Sequence, residues 1–327
     1  MVIKKISLVF MTGVVIGLLL VLNINIAAAE SDPVQMTIDD YSKTINADPY
    51  NATAYVNRAR AYGKLRQYQK VVDDCSQAIS IDPQNAYVYS MRGFAYEMLG
   101  QEQKVVDDCS QAITLDPKDA STYKMRGDAY DRLRQYQKTI DDYSQVITLD
   151  PKDASAYNMR GCVYGKLGQY QKSIDDCSQV IALDPKDAST YGMRGGIYNV
   201  LGQYQKAIDD CSYAISLDPK NVFAYSALGS AYIGLGQEQK AVENFSKAIS
   251  IDPQNASAYS GRASVYSELG QHQKAVDDYS HAITLDPKNA ATYSERGFAY
   301  WMLGQYQKAV NDFSKAISLA LNFGRYN

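Results

Sequence analysis

The sequence predicts an all-α fold built from repeated antiparallel helical hairpins. A proline recurs every 34 residues at eight successive positions, from Pro49 to Pro287. Between these prolines one pattern of apolar, small and polar residues is repeated with helical spacing. Tyrosine is unusually frequent, with 28 Tyr against 7 Phe and one Trp. Because tyrosine is amphipathic, this excess suits many half-buried interfaces better than one large core.

The overall composition is that of a globular protein. The chain has 327 residues, of which 46% are hydrophobic and 21% charged. Its formal net charge is -3, which gives no reason to expect nucleic acid as a partner.

Residues 1–29 have the composition of an export segment. Lys4 and Lys5 precede an uncharged apolar run from Ile6 to Leu22, and the run Ala27-Ala28-Ala29 provides the small residues of a cleavage site. The apolar run is long for a signal peptide and just long enough to span a bilayer. Cleavage is the favoured prediction, with a retained N-terminal membrane anchor as the alternative. In either case we expect an exported protein that is periplasmic, extracellular or anchored to the outer side of the inner or plasma membrane.

Each 34-residue copy predicts two helices. The second helix ends at an Asp-Pro step, because proline cannot donate a backbone hydrogen bond and clashes within a helix. An Asn or Asp two residues after each proline is expected to cap the next first helix. These capping residues are Asn51, Asn85, Asp119, Asp153, Asp187, Asn221, Asn255 and Asn289.

The turn between the two helices of a copy carries a Leu-Gly-Gln sequence in six copies. Its glycine is expected to adopt the left-handed conformation that follows many helices. Arg66 and Arg134 replace the glycine in the first and third copies, where we expect a small cost in stability.

The spacing resembles that of the tetratricopeptide repeat. Counted from Ala120, the third copy has Tyr123 and Tyr130 at places 4 and 11, Gly127 at place 8 and Pro151 at place 32. The resemblance covers residues 52–323 as eight repeats, with residues 30–51 as a partial N-terminal repeat and 324–327 as a short tail. It implies a right-handed superhelical solenoid of antiparallel helical hairpins, whose first helices line an inner groove.

One departure from the family pattern concerns place 7, which is Arg in seven copies instead of the usual Leu. The same seven copies have Asp at place 23, whereas the sixth copy has Leu228 and Asn244. This joint loss predicts that Arg and Asp pair between the two helices of a copy, as in Arg126 and Asp142. The alternative is that both are independent surface charges.

The resemblance implies that places 2, 5, 9, 12 and 13 of the first helix face the groove. Apolar patches lie near both ends and in the sixth copy, and large exposed aromatic residues suggest anchors for a protein or peptide partner. The alternative is that neighbouring side chains half cover these aromatic residues. The predicted groove residues are Arg60, Lys64, Tyr87, Phe94, Met98, Lys124, Asp128, Arg132, Asn158, Lys166, Asn199, Phe223, Ile233, Phe298, Trp301 and Met302.

The family's clamp for acidic chaperone tails is not reproduced, because Asp128 follows Lys124 and Met159 stands at place 6 of the next copy. That ligand is therefore not expected.

The sequence offers no residues for catalysis. It contains no nucleophile–His–acid set, phosphate loop or metal motif, so we expect no enzyme activity, no cofactor and no metal site. His272 and His281 are expected to be solvated. Four cysteines occupy the aromatic place 24 and are expected to be buried, and with Cys162 the total is odd, so no disulfides are predicted. The four are Cys75, Cys109, Cys177 and Cys211.

A second functional hypothesis is a structural envelope protein that self-assembles through its C-terminal edge. Val310, Phe313, Ile317 and Leu321 give the last helix an apolar stripe, and no polar capping helix is expected after it. The first hypothesis remains an exported scaffold that binds a protein or peptide in its groove, with the membrane contacted only through the N-terminal segment.

Overall fold

A computed structural model describes residues 33–323, so the predicted export segment and the tail at 324–327 lie outside the described residues. This part of the chain is all α-helical, as predicted, and it contains seventeen helices and no strand. The helices are α1 Pro33–Ala47, α2 Ala52–Lys64, α3 Tyr68–Ile81, α4 Ala86–Met98, α5 Glu102–Leu115, α6 Ala120–Arg132, α7 Tyr136–Leu149, α8 Ala154–Lys166, α9 Tyr170–Leu183, α10 Ala188–Val200, α11 Tyr204–Leu217, α12 Val222–Gly234, α13 Glu238–Ile251, α14 Ala256–Glu268, α15 His272–Leu285, α16 Ala290–Met302 and α17 Tyr306–Phe323.

The helices belong to two compact units, one ending at Asp142 and the other beginning at Tyr143. In the first unit, α1 packs on α2 and each later helix packs on the one before it. In the second unit, the first and second helices of a repeat form the closest pairs, as in α10 with α11 and α16 with α17. Helices thus pack chiefly with their sequence neighbours, as in repeat proteins.

Small residues and cysteines fill the space between the helices. Ala59, Cys75, Ala78 and Ala95 are almost fully buried in one cluster that joins the first and second repeats. Their small volume allows the helices to approach closely, while half-buried tyrosines pack around the edge of the cluster.

The predicted helix ends agree with the structure at seven of the eight first helices, where the Asn or Asp side chain accepts a backbone N–H bond from the first turn. Asn85 is the exception, because its side chain makes no capping bond, so the cap prediction is wrong there. After the second helices, the Asp of the Asp-Pro step accepts a backbone N–H bond two residues on, as Asp116 does from Lys118 at 3.1 Å. This bond fixes the turn that proline begins.

The turns within the hairpins use the left-handed conformation that the sequence predicts. The six glycines have φ between 64° and 74°, and Arg66 and Arg134 keep this conformation with φ of 56° and 57°. A side chain at such a φ places its Cβ too close to the backbone, whereas glycine has no Cβ.

Replacing Arg66 or Arg134 with glycine is therefore expected to stabilise the protein by roughly 0.5–1 kcal/mol per site, since relief of backbone strain outweighs the greater freedom of the unfolded chain. Urea unfolding monitored by circular dichroism measures the change. Gly100→Arg is the matched control, because nothing lies within 4 Å of a Cβ built at Gly100 and only the backbone conformation opposes the substitution. An unchanged stability for Gly100→Arg would contradict the strain argument.

Candidate functional site

The Arg and Asp residues at places 7 and 23 form bidentate ion pairs in seven repeats. Arg126 donates from Nε and Nη2 to the two carboxylate oxygens of Asp142 at 2.9 and 2.6 Å. The same fork occurs at Arg58–Asp74, Arg92–Asp108, Arg160–Asp176, Arg194–Asp210, Arg262–Asp278 and Arg296–Asp312, with distances of 2.6–2.9 Å.

Each of these arginines also contacts the preceding repeat. Its Nη1 donates to a serine at place 25 of the preceding second helix at 2.9–3.0 Å. The serines are Ser42, Ser76, Ser110, Ser144, Ser178, Ser246 and Ser280. One guanidinium therefore holds three helices, two from its own repeat and one from the repeat before.

The pairs are largely shielded from water, with 5% of the Asp142 side chain and 18% of the Arg126 side chain exposed. The hydrogen bonds that Arg126 donates to Asp142 raise the pKa of Arg126 above its usual value, so the guanidinium stays charged. Since both partners are satisfied within the protein, these pairs organise the fold and do not form a binding site.

Tyrosines at places 4 and 11 enclose each guanidinium, which lies 5.6–6.0 Å from both ring centres. A lysine at place 19 covers the place-11 ring in all eight repeats, at 5.0–5.4 Å. Cations attract the negative ring face. The frequent tyrosines thus have a structural role. Their ring faces contact the cations, and their hydroxyl groups border water.

The remaining candidates lie at places 2, 5, 9, 12 and 13 of the first helices, and we call the surface that these places form within each unit its first-helix face. In the first unit, Arg60, Lys64, Tyr87 and Phe94 line a pocket of about 410 Å³ together with Met91. Arg60 donates from Nε to the Tyr87 hydroxyl at 2.9 Å. No Asp or Glu lines this pocket, so it carries two positive charges beside aromatic walls.

Arg132 belongs to a different part of this face and is used within the protein. It forms ion pairs with Glu97 and Glu102, each at 2.8 Å. Because both carboxylates come from the preceding repeat, Arg132 links the second and third repeats instead of standing open to a ligand. Lys124 and Asp128 are half-buried, and Met98 is exposed.

In the second unit, Phe223 stands between two pockets and lines both of them. One pocket has a volume of about 400 Å³ and the other about 620 Å³. Phe223 projects over α10, where Gly192 and Gly196 leave room for its ring, and a Cβ at Gly196 would lie 3.1 Å from that ring. With 57% of its surface exposed, Phe223 is the most prominent aromatic side chain of the predicted groove residues.

The other predicted residues of the fourth to sixth repeats differ in accessibility. Asn199 donates from Nδ2 to the backbone oxygen of Ala227 at 2.7 Å and so joins α10 to α12. Ile233 is half-buried against the cluster around Phe245. Asn158 is half-buried and Lys166 is exposed.

The eighth repeat presents three large apolar side chains together. The ring centres of Phe298 and Trp301 are 5.8 Å apart, and both side chains, like Met302, are about half exposed. They form an apolar patch on α16 that the neighbouring helices leave uncovered.

The structure also adds residues that the sequence pattern did not single out. Met91 and Met193, both at place 6, line pockets in the two units. Val200 is 62% exposed and lines the larger pocket beside Phe223. Gly192 and Gly196 are the sequence signal that could have revealed the Phe223 pockets, because small residues on one helix leave room for a large side chain of the next helix.

The cysteines agree with the sequence prediction, whereas one of the two histidines differs from it. The four place-24 cysteines are buried, burial raises the pKa of each thiol to about 12, and the five cysteines form no disulfide. His281 is exposed against Tyr259. His272 is half-buried with its Nδ1 unpaired in the described residues, so the expectation that it is solvated is wrong.

Within residues 33–323, no group of three or more His, Cys, Asp or Glu side chains is arranged to hold a metal ion. No helix in this range is both long and apolar enough to cross a bilayer.

Family models agree with the repeat pattern. Models described as "Tetratricopeptide repeat" match residues 52–85, 75–106, 120–153, 154–187, 188–221 and 290–323, and one described as "TPR repeat" matches 231–270 and 263–304. Together these matches cover more than half of the chain. The chain belongs to the tetratricopeptide repeat family.

Solved structures with this fold are similar to the chain. A tetratricopeptide repeat protein from Parabacteroides merdae is 21% identical with a TM-score of 0.64, over 72% of this chain and 93% of that one. YrrB, described as a TPR protein with an unusual peptide-binding site, is 21% identical with a TM-score of 0.50, over 56% and 95%. A chain of the APC/C hetero-tetramer Cut9–Hcn1 is 17% identical with a TM-score of 0.60, over 86% and 56%.

These likenesses concern the fold. No curated protein matches this chain in sequence.

Proposed function

We propose that this protein is an exported, non-enzymatic scaffold that binds extended segments of a protein partner on the first-helix face of each unit. The proposal rests on large apolar side chains that are exposed on the first helices. These are Tyr87, Phe94, Met98, Val200, Phe223, Phe298, Trp301 and Met302, each 45–62% exposed. Exposed apolar groups that cluster within a unit favour a role in binding.

The pockets on this face support a peptide ligand. Their volumes of about 400–620 Å³ lie within the usual range for ligand sites and are large enough for single side chains of a partner. The pocket beside Arg60 and Lys64 favours an apolar side chain next to a carboxylate, since it combines two cations with aromatic walls. The pockets on either side of Phe223 are lined without charged residues and favour uncharged apolar side chains. The likeness to YrrB, whose structure has a peptide-binding site, is consistent with this mode.

A displayed random-peptide library, selected on the full chain, tests the proposal directly. We expect selected peptides to lose binding when Phe94→Ser or Phe223→Ser removes an anchor, as measured by fluorescence anisotropy. Tyr213→Ser is the matched control, because Tyr213 is an equally exposed aromatic residue on the second helix α11. Equal losses for the control and the first-helix variants would reject the proposed surface.

Trp301 provides a prediction within the same proposal. When a selected peptide covers the α16 patch, Trp301 emission is expected to shift to the blue, and Trp301→Ala is expected to weaken binding by about 2 kcal/mol, as at interface hot spots. The signal is unmixed because Trp301 is the chain's single tryptophan. An emission maximum that is already blue-shifted and resists quenching in the free protein would show that Trp301 is packed and contributes no anchor.

Export rests on the composition of residues 1–29. N-terminal sequencing of the protein recovered from the cell envelope or the medium tests it, and distinguishes the cleaved signal from the retained anchor. Recovery of the chain in the cytoplasmic fraction would reject export.

A second candidate function is self-association through α17. In the first repeat, Val72 at place 21 is buried against the next first helix, whereas Val310 at the same place of the eighth repeat is 56% exposed. Ile317 and Leu321 extend this stripe at 61% and 66% exposure. A second copy of the chain is the proposed occupant, because the stripe has the apolar character of faces that are buried within this chain.

The double variant Phe313→Glu with Ile317→Lys is expected to abolish concentration-dependent association in sedimentation velocity, because it places charges within the apolar stripe. Lys315→Glu is the control on a neighbouring exposed position of the same helix. If the wild-type protein sediments identically at low and high concentration, self-association through α17 is rejected.

A further inference from the structure

Three sulfur atoms come together beside the smaller of the two Phe223 pockets. The Met193 Sδ lies 3.9 Å from the Cys162 Sγ and 3.8 Å from the Cys177 Sγ. Cys162 and Met193 line the pocket, whereas Cys177 is buried behind them with 2% of its surface exposed. The cluster therefore has a closed inner side and an open side that a small ion reaches from the pocket.

The contact between Cys177 and Met193 repeats an arrangement seen elsewhere in the chain. In the second and third repeats, Cys109 and Met125 both border Gly93, where a Cβ would lie 3.4 and 3.5 Å from their sulfur atoms. Packing alone accounts for this two-sulfur contact, because methionine and buried cysteine fill core space well. Cys162 is the additional feature, since the equivalent place 9 of the second repeat is Phe94.

From this geometry we propose that Cys162, Cys177 and Met193 form a binding site for a soft monovalent metal ion, Cu(I). Three sulfur ligands around one metal with bonds of about 2.3 Å lie about 4 Å apart, close to the measured separations from Met193. Thiolate and thioether sulfurs are the ligands that select Cu(I). Zn(II) is disfavoured because a thioether is not among its usual protein ligands.

Binding is coupled to proton release. Cu(I) forms bonds to the two cysteine sulfurs and to the Met193 thioether, and each thiol transfers its proton to water. The site therefore changes from neutral to one negative charge.

The sequence pattern did not predict this site, because Cys177 was expected to be a buried core residue and Met193 was not singled out. Cys162 and Met193 come from successive first helices, α8 and α10, and no short ligand motif joins them. Only the packing of α9 against both helices brings Cys177 to the same point.

The experiment titrates the full, reduced chain without oxygen against the Cu(I) complex of bicinchoninate, which loses its colour when the protein withdraws the metal. We expect one Cu(I) per chain with release of about two protons. Cys162→Ser and Met193→Leu are expected to reduce affinity at least about tenfold. Zn(II) is expected not to displace the bound Cu(I).

Met125→Leu is the matched control, because it makes the same change at the contact between Cys109 and Met125, which has no third sulfur. It is expected to leave Cu(I) uptake unchanged. Circular dichroism verifies that each variant remains folded, and Cys162→Ser changes a half-buried residue at the pocket wall where a hydroxyl is readily accommodated. Uptake by the wild-type chain no stronger than by Cys162→Ser, or an equal loss in Met125→Leu, would overturn the proposal.

Discussion

Arg126→Leu is expected to lower the free energy of unfolding by about 3 kcal/mol, because it leaves the buried Asp142 carboxylate without its partner. Asp142→Asn is expected to be similarly costly, since the guanidinium then loses its counter-charge. Replacing both residues at once copies the sixth repeat, with Leu228 and Asn244 at these places. The double variant is expected to cost less than the sum of the two single changes.

Urea unfolding of the wild type, both single variants and the double variant gives the coupling energy of the pair. Ser110→Ala is a useful control, because it removes the bond at 3.0 Å to Arg126 Nη1 but leaves the ion pair intact. We expect that change to cost about 1 kcal/mol. Costs that simply add in the double variant would show that the two charges act independently.

Phe245→Cys is expected to cost about 3 kcal/mol, because it leaves a cavity in the core between the sixth and seventh repeats. The ring of Phe245 fills space left by two glycines, Gly229 and Gly261. A Cβ at Gly261 would lie 2.5 Å from the ring, so Gly261→Met is also expected to destabilise, by about 1–3 kcal/mol.

The double variant Phe245→Cys with Gly261→Met recreates the Cys177 and Met193 combination of the fourth and fifth repeats. We expect it to be more stable than either single variant, because the methionine refills the cavity that the phenylalanine leaves. The urea concentrations at the unfolding midpoints of the three variants test this order. A double variant less stable than both singles would show that the two interfaces are not interchangeable.

The sequence was most informative where the repeats differ from one another. The sixth repeat loses Arg and Asp together, and the two side chains do meet in the other seven repeats. The third partner, the serine at place 25, could not be found in this way. Serine occupies that place in every repeat, including Ser212 before the sixth, so no joint loss reveals its contact.

Candidate binding residues were harder to predict because their neighbours come from other repeats. Asn199 bonds to a backbone oxygen, which leaves no trace in a side-chain pattern. Arg132 was placed in the groove by its position, but its carboxylate partners lie at two different places of the preceding repeat. Phe223 and Trp301 were expected to be exposed from their places alone, and about half of each side chain is exposed.

The missing arginine of the sixth repeat also has a mechanical consequence. Within residues 143–323, Arg160, Arg194, Arg262 and Arg296 each tie their repeat to the one before by a directional hydrogen bond. Between the fifth and sixth repeats, apolar contacts around Leu228 and the bond from Asn199 to the Ala227 backbone oxygen take the place of the arginine bond. Apolar contacts tolerate small sliding displacements, because their energy depends weakly on angle. The bond from Asn199 to the Ala227 backbone oxygen therefore supplies directional restraint at this joint, next to Phe223.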